Sequence, residues 1–441
     1  MINDSSTPRR FRGVTRSVLG LALAALVAVT VGTPAEAAPG RAVKPAPVRM
    51  AVAAGPTGSA GGLSVGVTHT QYSADKWNPA ESRDRAETAL RSAAALQNQH
   101  IMGFGALSPE PSPGRYDWST LDARVDLMRR NGGTPVLTLC CSPDWMKGGA
   151  AGTTDWSRLA IAPTPDHYDD YARLAATVAK RYPDVKHFMV WNELKGFWDT
   201  SRNRWNIEAY TAFYNTVYRA LKAVNPAIKV GGPYLVVNSW SNAATMSHPS
   251  ALRGPWGVVD QRDLDAIRYW LANAAGADFI AVDGGNSTKD KGVITDESTA
   301  NRKLAVITTW IRQQTTLPVW WAEFYPGMRD PHNWAGSRER SAVAVDALLQ
   351  VRQAGASVVL LWQPEARPTL TSVALWTDTS TASGGNALPM TYALNWLRPR
   401  FAAGQPVTSR WAAPGRVLCL TSGTAKLTVG LLPSATVPSC G

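Results

Sequence analysis

Short apolar or β-branched runs bounded by turn residues recur eight times along the chain. They are Leu63–Thr70, His100–Gly105, Thr134–Cys141, Val185–Glu193, Ile228–Pro233, Ala277–Asp283, Leu317–Glu323 and Ala356–Trp362. Their starts lie 34 to 51 residues apart. Runs this short, flanked by turn residues, read as strands. Between them the apolar positions take a helical period. Leu121, Val125 and Met128 share a face in Ser119–Asn131, which ends on Gly132-Gly133. Tyr168, Tyr171, Leu174, Ala175 and Val178 form the stripe of Asp166–Arg181. Similar stripes run through Asn206–Val224 and Arg302–Gln313, and Arg338–Gln353 is rich in Ala, Leu and Val. Strands alternating with helices pair in parallel through right-handed crossovers. Eight such units over the 340 residues from Gly62 to Phe401 predict an α/β fold, a (β/α)8 TIM barrel with loop insertions. A doubly wound open sheet is the alternative, but no Gly-rich phosphate loop follows the first strand, which runs into Thr70-Gln71-Tyr72.

The ends of the chain differ in character. Arg9, Arg10, Arg12 and Arg16 precede an uncharged run of 14 residues, Val18 to Val31, and then Ala35-Glu36-Ala37. This is the pattern of a signal peptide over residues 1–37, too short in its apolar part for a spanning helix. Phe11 follows Arg9-Arg10 one place too early for a twin-arginine signal, which favours the general secretory route. Residues 38–61 are an Ala/Pro/Gly-rich leader, and 402–441 carry short alternating stretches that predict a small β addition. The expectation is an exported, monomeric protein with no membrane attachment after cleavage.

Composition adds three points. Four Cys in 441 residues exclude a disulfide-dense mini-fold. Cys419 and Cys440, 21 residues apart in the tail of an exported chain, suit a disulfide; adjacent Cys140 and Cys141 at a strand end are expected to point to opposite faces as two thiols. The net charge of +12 is scattered, without a basic stripe or nucleic-acid motif, and two units of it leave with the signal. Six His and no paired zinc-spaced ligands argue against a metal site, and no organic cofactor is expected. The 18 Trp exceed what one core needs and offer flat apolar faces.

Barrel sites form at the C-terminal ends of strands. The fourth run closes on Trp191-Asn192-Glu193 and the seventh on Trp320-Trp321-Ala322-Glu323, followed by Phe324-Tyr325. Each is a carboxylate closing an apolar strand in a rim of aromatics, and strands four and seven lie on different sides of one pocket. Two facing carboxyls with separated pKa values are what glycoside hydrolysis requires.

Trp191-Asn192-Glu193 and Trp321-Ala322-Glu323, 130 residues apart between the two Glu, resemble the clan A retaining glycoside hydrolases. Gly114-Arg115-Tyr116-Asp117-Trp118-Ser119-Thr120-Leu121-Asp122 and Pro143-Asp144-Trp145-Met146 resemble the xylosidase-like family 39 within that clan. The resemblance spans nearly all of Gly62–Phe401. It implies Glu193 as general acid/base, Glu323 as nucleophile, Asn192 as a donor to the sugar 2-hydroxyl and Trp362 as the floor under the sugar ring. It also implies a carbohydrate substrate of xyloside, arabinoside or glucoside type. Strand six ends Val282-Asp283-Gly284-Gly285-Asn286, where clan members show a Tyr or His that steadies the nucleophile. A transglycosylase, or a carbohydrate-binding barrel without activity, are the alternatives.

His69, Asp144, Trp145, Asp283 and Tyr325 complete the candidate substrate contacts; for His69 a packed, hydrogen-bonded ring is the equal alternative. Trp198, Trp205 and Trp240 fall in loops, as distal sugar platforms or covers. Trp310 reads as core. Asp166, Asp169 and Asp170 read as helix caps, and Asp290 and Asp296 as solvated loop residues.

Overall fold

The computed structural model describes residues 62–290, 296–326, 338–367, 373–414, 416–430 and 440. The expected signal peptide and leader lie outside the described residues. Eight parallel strands close into a barrel: β1 (Ser64–Thr68), β2 (Leu96–His100), β3 (Thr134–Leu139), β4 (His187–Val190), β5 (Lys229–Val236), β6 (Phe279–Gly284), β7 (Val319–Phe324) and β8 (Ala356–Trp362). Closure, with β1 paired to both β2 and β8, excludes the open doubly wound sheet. Helices α1 (Ala80–Ala93), α2 (Ser119–Arg130), α3 (Tyr168–Arg181), α4 (Ile207–Val224), α5 (Gln261–Asn273), α6 (Glu297–Gln314), α7 (Arg338–Gln353) and α8 (Pro389–Ala402) follow the strands in turn. In the tail, β9 (Thr408–Ala413), β10 (Val417–Ser422) and β11 (Ala425–Val429) form an antiparallel sheet. No helix among the described residues is long and apolar enough to cross a membrane.

Strand alternation divides the core in two. Outward residues such as Val65, Val190, Trp191 and Trp321 pack against the helices. Inward residues Val136, Met189, Phe279, Ala281, Trp320, Val358 and Leu360 fill the barrel, with the Phe279 and Trp320 rings stacked 4.0 Å apart.

Four expectations fail for physical reasons. The second strand is Leu96–His100 and not His100–Gly105. Its residues Gln97, Asn98, Gln99 and His100 are fully buried but polar, so hydropathy does not mark them. They bond laterally instead: Asn98 donates to Thr68 and accepts from Thr138, and Gln99 accepts from the buried Arg124 guanidinium. Cys140 and Cys141 form a disulfide with each other, because β3 stops at Leu139 and its two-faced alternation no longer governs them. Cys419–Cys440 is also bonded, and no free Cys is found among the described residues. Asp290 and Asp296 are not merely solvated: Asp290 accepts from the Ser241 amide and hydroxyl, and Asp296 caps α6 through the Thr299 amide. Asp169 and Asp170 stand in the first turn of α3 without capping it, and Asp170 instead pairs with His167 and Arg173.

Candidate active site

The barrel's C-terminal mouth is shaped by backbone irregularities that redirect side chains. Along β6 and β7, Val282 faces Trp321 but Asp283 faces Glu323, so Ala322 is an extra residue in β7. That bulge turns Glu323 away from the outward face that strict alternation after Trp321 assigns it. Between β5 and β6, Ala281 pairs with Pro233 and Val282 with Leu235, which makes Tyr234 the extra residue. The Tyr234 side chain thereby joins the barrel interior, and its hydroxyl donates to Glu323 Oε1 at 2.8 Å. After β4, Trp191, Glu193 and Leu194 all have left-handed backbone, with φ of 72°, 53° and 49°. Such φ values are costly for residues with a Cβ and gather where a site over-determines them. The Trp191 indole holds this turn by donating to the Lys195 carbonyl at 2.7 Å.

Three carboxylates converge here. One oxygen each from Glu193, Asp283 and Glu323 lies within 4.8 Å of the other two. Lys195 forms an ion pair with Glu193. Burial raises the Glu193 carboxyl, but the Lys195 charge and the hydrogen bond with Asp283 outweigh it, and its pKa falls below the ordinary value. Glu323 is pushed up to about 8 by burial and then by the Glu193 charge, against the pull of Lys195 and the Tyr234 hydroxyl. Asp283 is raised well above the ordinary range by burial and by the Glu323 and Glu193 charges. Neither Asp283 oxygen has a well-formed hydrogen bond from a donor among the described residues, and the residue is fully buried. An ionised carboxylate so placed is prohibitively costly, so Asp283 holds a proton. The negative charge of the cluster therefore rests on Glu193 beside Lys195. Three such carboxylates also match the donor chemistry of a hard cation, but the Lys195 ammonium already supplies positive charge at that point.

The neutral polar lining faces the same space. His100 is lowered to about 3 by burial and by Lys195, so the imidazole is uncharged. Its ring lies 4.3 Å from Phe104 and, edge-on, 6.4 Å from Trp362. Asn192 is buried with both amide atoms unpaired among the described residues, as are both His100 nitrogens. Buried polar atoms left open around carboxylates suit a ligand rich in hydroxyls. The Tyr325 hydroxyl faces Asp283.

The other predicted residues are not drawn into this cluster. His69 is the packed alternative: buried, hydrogen-bonded to Gln97 at 3.2 Å, and kept neutral with a pKa lowered to about 3 by burial. Asp144 accepts from the Asp155 amide and pairs with Lys147, closing its own loop. Trp145 donates to the Glu110 carbonyl and stands edge-on to His167. Trp205 donates to buried Asp263 and meets Trp198 edge-on, while Trp310 packs on the core. Trp191 and Trp321 are fully buried behind the barrel wall, the latter donating to Thr308 of α6, so neither offers a stacking face.

A model of the glycosyl hydrolases family 39 matches residues 109–359. The chain belongs to glycosyl hydrolases family 39. It is a glycosidase with the clan A barrel. A search of curated proteins found no match. Among solved structures, the family 39 chain is similar to a monomeric β-xylosidase from Caulobacter crescentus CB15, at 16% identity and TM-score 0.54 over 82% of this chain and 73% of that one. It is also similar to the GH39 enzyme from Xanthomonas axonopodis pv. citri, at 17% identity and TM-score 0.54 over 82% and 70%. An exo-β-1,4-mannosidase from Opitutaceae bacterium strain TAV5 shares 15% identity and TM-score 0.52 over 78% and 60%. At these identities the likeness is one of fold.

Sequence reasoning missed three residues in this family 39 site. Lys195 follows Glu193 by two places and its proximity could have been suspected. His100 begins an apolar run in the sequence but ends β2 in the fold. Tyr234 was lost because Gly232-Pro233 reads as a strand terminus, yet β5 continues through that cis bond to Val236.

Proposed function

We propose that the enzyme is an exported retaining glycosidase that cleaves neutral xyloside-, arabinoside- or glucoside-type glycans by double displacement. The observation that carries this reading is the short gap between Glu193 and Glu323. Carboxyl oxygens within 4.8 Å leave no room for a water between sugar and base, and retaining pairs stand about 5–5.5 Å apart. Glu323 attacks the anomeric carbon as a carboxylate, Glu193 protonates the departing oxygen, and Glu193 then deprotonates the water that releases the sugar. The Tyr234 hydroxyl steadies the Glu323 anion, and Asn192 and His100 meet the sugar hydroxyls.

That proton distribution must invert for this chemistry. Glu193 begins ionised and Glu323 begins protonated. The reactive form is a tautomer with the same number of protons. Asp283, lying against both, is the group across which the proton passes from one glutamate to the other. A sugar ring over Glu323 and engagement of Lys195 by its hydroxyls favour the shifted form.

Following the anomeric proton of the first product by NMR tests the assignment. The expected product keeps the substrate's anomeric configuration; an inverted first product excludes Glu323 as nucleophile. Export is supported by two disulfides that take up all four Cys, which suits an oxidising compartment. The exported protein is expected to begin at Ala38, as read by N-terminal sequencing; retention of residues 1–37 would mark an uncleaved anchor instead.

A further inference from the structure

A groove of about 1080 Å³ is framed by the loops after β1, β2 and β3 and by α1 and α2. Seven large apolar side chains are exposed among the described residues, and three of them, Trp77, Leu107 and Trp156, line this one groove. Trp77 is 82% and Trp156 46% exposed, more than any other exposed Trp. Solvent-facing indoles are costly unless something covers them.

Two features define what that is. The lining carries four cationic and four anionic side chains, including the Arg130–Glu87 ion pair at 2.7 Å, so its charge cancels. A balanced lining gives no attraction for nucleic acid or an acidic polymer, and eight charges make a poor seat for an apolar protein surface. Flat indoles set among polar groups fit a neutral sugar chain, whose ring faces are apolar and whose edges carry hydroxyls. The second feature is continuity. Phe104 lines the groove and also contacts His100 and, at 5.6 Å edge-on, Trp362 in the pocket. Its neighbour Gly105 has φ +101°, and a Cβ there would come within 3.2 Å of the Gln71 backbone, so this corner is fixed.

We infer that the groove is a distal subsite that holds the neutral glycan chain running away from the scissile bond, with Trp77 and Trp156 as its stacking platforms. The inference rests on the glycosidase reading, and makes polymeric or long oligomeric glycans the natural substrate. It is tested by calorimetric titration of Glu323→Gln protein with xylohexaose, cellohexaose, arabinohexaose, mannohexaose and the acidic hexamer of galacturonic acid. The same titrations are made after adding Trp77→Ala and Trp156→Ala, and wild-type digests of each glycan are read by mass spectrometry. Circular dichroism and thermal melting confirm that each variant is folded. The expected result is that at least one neutral hexaose binds and that each Trp change weakens it about tenfold. Wild-type protein with Trp77→Ala and Trp156→Ala should keep its rate on the matching aryl monosaccharide glycoside. Binding that ignores both Trp changes overturns the inference, whether or not wild type cleaves the glycan. Preference for the acidic hexamer, or no binding to any, also overturns it. A neutral hexaose that binds through the Trp pair but is never cleaved upholds the groove and removes the hydrolytic reading.

Discussion

Glu323→Gln is expected to lower kcat by about 10⁴-fold or more on any glycoside the wild type cleaves. The amide cannot form the glycosyl ester, while it has nearly the same shape and can still accept the Tyr234 hydroxyl. Glu323 is buried at 4% exposure, and burial raises the cost of its charge, so neutralising it should not unfold the barrel. Loss of rate with an unchanged melting temperature is therefore the expected pair of observations. Asp283 provides the sharpest challenge, because its carboxyl is within 4.8 Å and could in principle attack in place of Glu323. Wild-type protein treated with an activated 2-fluoro glycoside and then digested should carry the sugar on the peptide containing Glu323. A label on Asp283, or a Glu323→Gln variant that still turns over at the wild-type rate, reverses the assignment. The donor pattern favours Glu323: it receives a phenolic O–H, whereas Asp283 receives no well-formed hydrogen bond among the described residues.

The barrel was legible because its signals are local and repeated. Each strand–helix unit announces itself through its own apolar run, and seven of the eight expected runs overlap the observed strand through more than its final residue. β2 failed because a barrel interior near a polar site can be built from amides and imidazole, which hydropathy treats as surface. The two glutamates of the cluster were legible because each stands at or just past the end of an apolar strand, two residues after a Trp. What surrounds them was not, and the reason is geometric. Bulges at Ala322 and Tyr234 decide which side chains face inward, and a bulge is set by pairing between strands distant in sequence. The missing Tyr or His at the end of β6 is answered by Tyr234 from β5, a substitution across strands that a single-strand motif cannot display. Trp191 and Trp321 illustrate the converse. Both stand in the aromatic rim beside a glutamate, and strand alternation would put each on the same face as that glutamate. The bulge at Ala322 and the left-handed turn after β4 separate them, and both indoles are packed against helices. The most exposed indoles, Trp77 and Trp156, lie in loops without any motif.

Glu193→Ala is expected to act selectively, and its pH dependence separates its role from that of Glu323. General acid catalysis contributes about 10²–10⁴-fold where the leaving group needs a proton. The variant should lose that much on an alkyl glycoside and far less on a dinitrophenyl glycoside, whose leaving group departs as an anion. Turnover of the latter then waits on hydrolysis of the ester, so added azide, which needs no general base, should restore the rate and yield a glycosyl azide of retained configuration. In wild type the cluster keeps its shared proton below about pH 8, the value to which burial and the Glu193 charge raise Glu323. Above that pH the proton shared by the two glutamates leaves, the one that remains is kept on the fully buried Asp283, and with Glu193 no longer protonated kcat/KM should fall. In the variant the Glu193 charge is gone and Lys195 is released to face Glu323. Both changes lower the Glu323 pKa, so the nucleophile is ionised at neutral pH. With the activated glycoside no acid is required, and the decline above about pH 8 should disappear. A wild-type profile flat through pH 9, or a variant that keeps the wild-type decline, would show that the titrating proton does not belong to this carboxylate cluster.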